Sequence, residues 1–225
     1  MRYNKNLKKI LNLNINDYKE YSEKYSSIEI EIKPVNNKSG KFINIEEEDE
    51  KYYHIYFNNN KEEIKRNYIN KDEIKIIKII IDYKIESLEN LFLYCKCIES
   101  INFKKFYRKN VTYMRDMFYW CFSLKELNLN NFITNNVIDM RYMFYCCFSL
   151  EELNFSKFNT NKVSNMSYMF YGCSSLKELN LSNFKTDNAN NISFIFQGCS
   201  KKLIMKIKTL YKNIKEEAFI NFEYF

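Results

Sequence analysis

The chain has 225 residues, of which 46% are hydrophobic, and its formal net charge is +7. That length and apolar content predict a folded protein with a sizeable core. Only three glycines and one proline are present, which excludes the glycine-rich phosphate loops of nucleotide-binding enzymes. The sequence has no apolar run of signal-peptide or membrane-span length. Its seven cysteines are an odd number, so we expect free thiols in a cytoplasmic protein.

The first third of the chain divides into two regions. Residues 1–25 begin with a basic stretch and form an N-terminal segment for which a helix is one option. Residues 26–84 alternate polar and apolar residues, which predicts a β-rich capping unit, with NNKSG at 36–40 as a hairpin connection. The single histidine, His54, lies in the strand-like KYYHIYF, and we interpret it as an ordinary strand residue.

A 26-residue repeat of about five copies occupies residues 85–205. In each copy the pattern M-x-x-M-F predicts one short helical turn, and L-x-x-L-x-L predicts a short parallel strand. In the strand of the second copy, Leu127 and Leu129 should point inward and Asn128 outward. The repeat predicts an α/β leucine-rich-repeat-like solenoid, closed by a C-terminal capping helix at 206–225. Two columns keep one residue type throughout: Phe92, Phe118, Phe144, Phe170 and Phe196, and Cys95, Cys121, Cys147, Cys173 and Cys199.

The stretch NKVSNMSYMFYGCSSLKELNLSNFKTDN at 161–188 resembles the repeat of BspA-type leucine-rich repeat proteins, a group that includes the bacterial DUF285 repeats and many protist surface proteins. The resemblance implies a right-handed solenoid, a role in adhesion or protein binding, and display at a cell surface as an alternative to a cytoplasmic location. The chain departs from the pattern at Trp120 and Cys146, which stand where Gly172 and Gly198 stand in later copies.

The residues with reactive side chains do not form a pattern typical of catalysis. Zinc ligands must converge on one point, whereas the cysteine column places one sulfur in each copy, so we interpret it as buried structure. A nucleophile needs a base beside it, and His54 lies in the other region. The methionines Met114 and Met117 and their equivalents are interpreted as core. We therefore expect no enzyme activity, no cofactor and no metal.

The outward strand positions are the first candidate site. We predict that a protein partner binds to this concave strand face, on which the four asparagines form one column. The asparagines could instead form a ladder that only stabilises the sheet, and both interpretations stay open. The predicted partner-binding residues are Asn102, Lys125, Glu126, Asn128, Glu151, Glu152, Asn154, Lys177, Glu178 and Asn180.

A second candidate is FKKFYRKN at 103–110, where a basic and aromatic loop could bind nucleic acid or an anionic surface. Its cations are Lys104, Lys105, Arg108 and Lys109. The loop could instead be only solvated surface, and the mildly acidic strand face argues against nucleic acid as the main partner. We therefore expect a protein partner. We also expect the chain to be a monomer. A tyrosine column on the convex wall is held in reserve as a third surface: Tyr119, Tyr145 and Tyr171.

Overall fold

A computed structural model describes residues 26–70 and 73–220 of the chain. It is a mixed, sheet-rich fold with few helices. The predicted N-terminal segment, 1–25, lies outside the described residues, as do 221–225.

The N-terminal region forms most of a five-stranded sheet. Strands β1 (Ile28–Pro34), β3 (Tyr53–Phe57) and β5 (Ile77–Ile81) alternate buried with more exposed residues, as their sequences predict. The strand order is β3-β5-β1-β6-β7, where β6 (Ile98–Lys105) and β7 (Glu126–Asn128) belong to the repeats. Strand β1 pairs antiparallel with β6 and so covers the edge of the first repeat strand. That edge would otherwise expose unpaired backbone groups.

The predicted hairpin at NNKSG is wrong. The segment leads from β1 into β2 (Gly40–Lys41), which pairs antiparallel with β4 (Tyr68–Ile69) in a separate two-stranded sheet. Strand β1 already has β5 and β6 on its two sides, so β2 has no place beside it. After Pro34 the chain stays attached to the first repeat, because the amide of Val35 donates to the carbonyl of Cys97 at 2.8 Å.

The repeat strands are short and pair in parallel. Strand β6 pairs with β7, and β8 (Glu152–Asn154) pairs with β9 (Glu178–Asn180). A second line of contacts, made of isolated parallel β-bridges, joins five successive copies on another side of the repeats. Each bridge joins residues 26 positions apart: Ser87 to Tyr113, Tyr113 to Asp139, Asp139 to Asn165, and Asn165 to Asn191. Successive copies therefore lie side by side in register.

The predicted helical turn in each copy is wrong, because the M-x-x-M-F segment forms successive tight turns instead. Alternate backbone amides donate to carbonyls of the next copy instead of to carbonyls of their own segment. The Phe118 amide donates to the Met143 carbonyl at 2.9 Å, and the Trp120 amide donates to the Tyr145 carbonyl at 2.8 Å. Two positions in every copy have left-handed backbone, with φ between 56° and 80°. Gly172 and Gly198 adopt it without strain, whereas Trp120 and Cys146 adopt it with φ of 58° and 57°. A Cβ on Gly198 would lie 3.0 Å from the backbone of Gly172.

The phenylalanine and cysteine columns are buried, as predicted. Successive rings of the first column stack nearly parallel, with Phe118 and Phe144 centroids 5.2 Å apart and Phe144 and Phe170 5.6 Å apart. The thiol of Cys147 donates to the carbonyl of Phe118 at 3.1 Å, and Cys173 does the same to Phe144. These contacts join each copy to the one before it.

The C-terminal helix lies earlier than predicted. Helix α1 spans Lys201–Leu210 instead of starting at 206, because the Ser200 hydroxyl accepts from the amide of Leu203 and caps the helix there. Leu203 and Ile207 are its buried residues. A short 3-10 helix, Glu216–Phe219, follows and stacks the Phe219 ring on Phe196 at 5.3 Å, so the end of the phenylalanine column is covered.

All seven cysteines are free and buried, so we expect slow labelling of the native protein by a thiol-reactive dye at pH 8. Burial raises the pKa of Cys121, Cys147 and Cys173 well above the ordinary value, which suppresses the reactive thiolate. A Ser164→Cys variant provides an exposed thiol for comparison. We expect native thiols to react at least about 100-fold more slowly than this one. Equal rates would contradict a buried column.

Candidate protein-interaction surface

Nine of the ten predicted partner-binding residues line two adjoining grooves, with volumes of about 850 and 540 Å³, that share Leu127, Asn128 and Glu152. We call them together the strand groove. Its floor contains the central leucines of β7, β8 and β9: Leu127, Leu153 and Leu179. Nine predicted residues line it: Asn102, Lys125, Glu126, Asn128, Glu151 and Glu152 in the larger part, and Asn154, Glu178 and Asn180 in the smaller.

Lys177 is the predicted residue outside this lining, and it is connected to it through an ion pair with Glu151 at 2.5 Å. Leu127 also differs from the prediction that it points fully inward. It is only half-buried, whereas Leu129 is buried as predicted. The partly exposed leucine gives the groove an apolar contact midway along its length.

The predicted row of four adjacent strands is divided into two pairs. Asn102 pairs with Asn128 in the five-stranded sheet, and Asn154 pairs with Asn180 in a two-stranded sheet. Strands β7 and β8 lie near each other but belong to different sheets. The change of sheet falls where the two parts of the groove meet.

The side chains of the asparagine column bond within their own copies and do not form the ladder between strands, which was one of the two interpretations of this column. The Oδ1 atoms of Asn128, Asn154 and Asn180 accept from backbone amides two residues later, at 3.0, 2.9 and 3.1 Å. These are Asx turns, which end each strand without glycine. The asparagine side chains therefore have a structural task at the groove, and its glutamates are the better candidates for recognition.

Charges in the strand groove and on the residues next to its lining are unevenly matched. Glu99 binds two lysines, Lys33 at 2.8 Å and Lys125 at 3.2 Å, which lowers the pKa of its carboxyl. Lys177 similarly lowers the pKa of Glu151. Among the described residues, Glu126 and Glu152 have no ion-pair partner, although both line the groove. The groove is therefore acidic at its centre.

Sequence reasoning missed the residues that the groove receives from outside the repeat. Glu31 and Lys33 come from β1, Ile76 lies just before β5, and Lys206 and Leu210 come from α1. The repeat pattern could not indicate them, because they are brought there by antiparallel pairing and by the early start of α1. The alternation of β1 was the only available signal, and it does not identify a pairing partner.

The region of the 26-residue copies matches a known protein family. The family model for "Mycoplasma protein of unknown function, DUF285" matches residues 86–208, which is more than half of the chain. The chain belongs to the DUF285 family. Comparisons with curated proteins and with solved structures found no match. The matched region includes β6 to β9 and most of α1, and so most of the strand groove.

The basic loop of this DUF285 chain is largely occupied by internal contacts. Arg108 is fully buried, so its prediction as a surface cation is wrong. Its Nη1 donates to the carbonyl of Asp82 at 3.0 Å. Lys104 pairs with Glu31 at 3.3 Å, and Lys105 pairs with Glu29 at 3.7 Å, because antiparallel β1 places these glutamates beside β6.

The tyrosine column of the DUF285 region stacks as a regular row. Tyr145 lies between Tyr119 and Tyr171, with ring centroids 4.7 Å apart on each side and nearly parallel planes. A second row, Tyr142, Tyr168 and Phe194, has spacings of 4.9 and 4.8 Å. Burial raises the pKa of Tyr145 to about 12. Because stacked rings cover one another's faces, this wall presents ring edges and few free faces to a ligand.

Within residues 26–70 and 73–220, no group of three or more His, Cys, Asp and Glu side chains could hold a metal ion. No helix there is long and apolar enough to cross a bilayer.

Proposed function

We propose that this DUF285 chain is a non-catalytic scaffold that binds a protein partner through the strand groove. The observation that carries the proposal is the groove itself, an open channel across β6 to β9 that combines half-buried apolar residues with carboxylates lacking ion pairs. Partner proteins commonly use such a combination of apolar contact and charge complementarity. The buried thiols, with raised pKa values, fit a structural role better than nucleophilic catalysis.

We interpret the 26-residue copies as coils of a BspA-type leucine-rich repeat solenoid. The in-register bridges and the stacked phenylalanine column support this interpretation. Solenoids of this kind offer extended binding surfaces built from equivalent positions of successive coils. Adhesion at a cell surface and binding inside the cell are both compatible with it.

The test compares three baits in a pull-down from native lysate, followed by mass spectrometry. Glu126→Lys combined with Glu152→Lys reverses the two unpaired groove carboxylates, and both sites are exposed, so the fold should persist. We expect this bait to lose proteins that the wild-type bait retains. The matched control, Lys104→Ser with Lys105→Ser and Lys109→Ser, should retain them.

Unchanged circular dichroism and melting temperature establish that each bait is folded. If the loop variant loses the partners and the groove variant keeps them, the proposal is wrong and the anion-binding alternative replaces it. That alternative also predicts a steep loss of binding with salt. The burial of Arg108 and the ion pairs of Lys104 and Lys105 leave less charge for it.

A further inference from the structure

The strand groove offers two kinds of contact that the described residues do not use. Glu126 and Glu152 occupy equivalent positions in β7 and β8, in line with Glu178 of β9, and like charges at such positions repel. At the other end, the Leu210 side chain is 58% exposed although it lines the groove. An occupant that fits both features must carry cations and aliphatic side chains together.

The chain itself contains a segment with this composition. Residues 1–16 carry four cations and neither aspartate nor glutamate. Five aliphatic residues are interspersed with the cations. The cations are Arg2, Lys5, Lys8 and Lys9, and the aliphatic residues are Leu7, Ile10, Leu11, Leu13 and Ile15.

The attachment point of this segment lies beside the groove. The described chain begins at residue 26 and enters β1 at Ile28, and Glu31 and Lys33 of the same strand line the groove. The separation of Ile28 from Glu31 is about 10 Å along the strand. Residues 17–25 can span up to about 30 Å. A tethered segment of this reach has an effective concentration on the order of millimolar.

We propose that residues 1–16 dock in the strand groove and compete there with the protein partner. The inference rests on the proposed function for the identity of the competitor, but the docking itself does not. Cationic side chains pair with Glu126 and Glu152, and aliphatic side chains pack against Leu127 and Leu210. The segment thereby regulates access to the groove, and a partner must displace it.

The test is disulfide trapping in the full chain at low micromolar concentration. Leu11→Cys is combined with Ser100→Cys, since Ser100 lines the groove. The matched control combines Leu11→Cys with Ser164→Cys, an exposed site outside the groove lining. Native thiols are buried and contribute little background. Mild oxidation followed by non-reducing mass analysis measures the intramolecular bond.

We expect the groove pair to form its bond about tenfold faster than the control pair. Adding Lys5→Glu, Lys8→Glu and Lys9→Glu should remove the advantage, and 1 M salt should reduce it because ion pairs at an open surface are screened. The same three positions changed to Arg should retain it. Loss of the advantage only in the Glu series identifies charge as the cause.

Equal bond formation by both pairs would overturn the proposal, since it would mean that the tether samples the surface without preference. Disulfide-linked dimers whose yield rises with concentration would also overturn it, and would make a second copy the occupant. No partner is needed in this experiment, so its failure is distinct from failure of the proposed function. If trapping fails while the groove variant still loses partners in the pull-down, only the regulatory docking is wrong.

Discussion

Replacing Phe144 with alanine should lower the free energy of unfolding by about 3 to 5 kcal/mol. The ring is fully buried at the centre of the phenylalanine column, between Phe118 and Phe170. Its removal leaves a cavity that neighbouring copies cannot fill without losing their register. Urea denaturation followed by circular dichroism measures the change, and a loss of this size can exhaust the stability of a single domain.

Phe148→Ala is the matched control for this prediction. It removes the same atoms from the same copy, but Phe148 is 39% exposed. Its ring packs edge-on against Trp120, with the two ring centroids 5.9 Å apart. We expect a loss below about 1 kcal/mol there. Comparable losses at the two positions would mean that the column does not form the core of the repeats.

Replacing Arg108 with methionine should raise the free energy of unfolding at pH 7 by about 1 to 4 kcal/mol. The guanidinium is buried with one hydrogen bond, to the Asp82 carbonyl, while its Nε and Nη2 have no partner. Methionine has a similar length and needs no partners. The Asp82 carbonyl keeps its bond from the amide of Ile85.

The pKa of Arg108 reflects the same unfavourable burial of its guanidinium. Burial lowers the pKa of Arg108 well below the ordinary arginine value, to about 10, against the opposing effect of the Tyr53, Asp82 and Glu86 charges. Because the folded state holds this proton less tightly than the unfolded state, the cation costs stability at every pH below about 10. That cost fades only as the pH rises from about 10 toward the ordinary pKa of an arginine side chain.

Two variants check this reasoning by thermal and chemical denaturation at pH 7. Arg108→Ala should be less stable than Arg108→Met, because it adds a cavity. Lys109→Met, at an exposed neighbouring position, should change stability by less than about 0.5 kcal/mol. A less stable Arg108→Met protein would show that the guanidinium is better satisfied than its contacts indicate.

The position of Arg108 in the 26-residue repeat already indicated that its side chain is buried. Arg108 stands 26 residues before Thr134, and Thr160 and Thr186 continue the same column, all of them buried. Thr134 donates to the Asn159 carbonyl and accepts from the Asn159 amide, at 3.1 and 2.8 Å. The register therefore predicts an interior position for Arg108. Local composition, a run of basic residues, was the misleading signal.

The turns of each copy were predicted incorrectly for a related reason. M-x-x-M-F spacing is typical of one helical turn, because apolar residues three and four apart share a helix face. Those residues face inward in the structure, yet the backbone bonds run to the neighbouring copy. The same burial pattern serves both conformations, so it could not distinguish them. The left-handed positions at Trp120 and Cys146, aligned with Gly172 and Gly198, were the available signal.

By itself, the sequence determined the register of the repeats, the two buried columns and the placement of nine groove residues on one surface. It could do so because a fixed period repeats each local environment, and burial then selects the same residue type in each copy. The tertiary structure alone decided that β1 pairs antiparallel with β6, that the strand row divides between β7 and β8, and that α1 brings Lys206 and Leu210 to the groove. These contacts join segments that share no period, and nothing in either segment specifies its partner until both are packed on the same core.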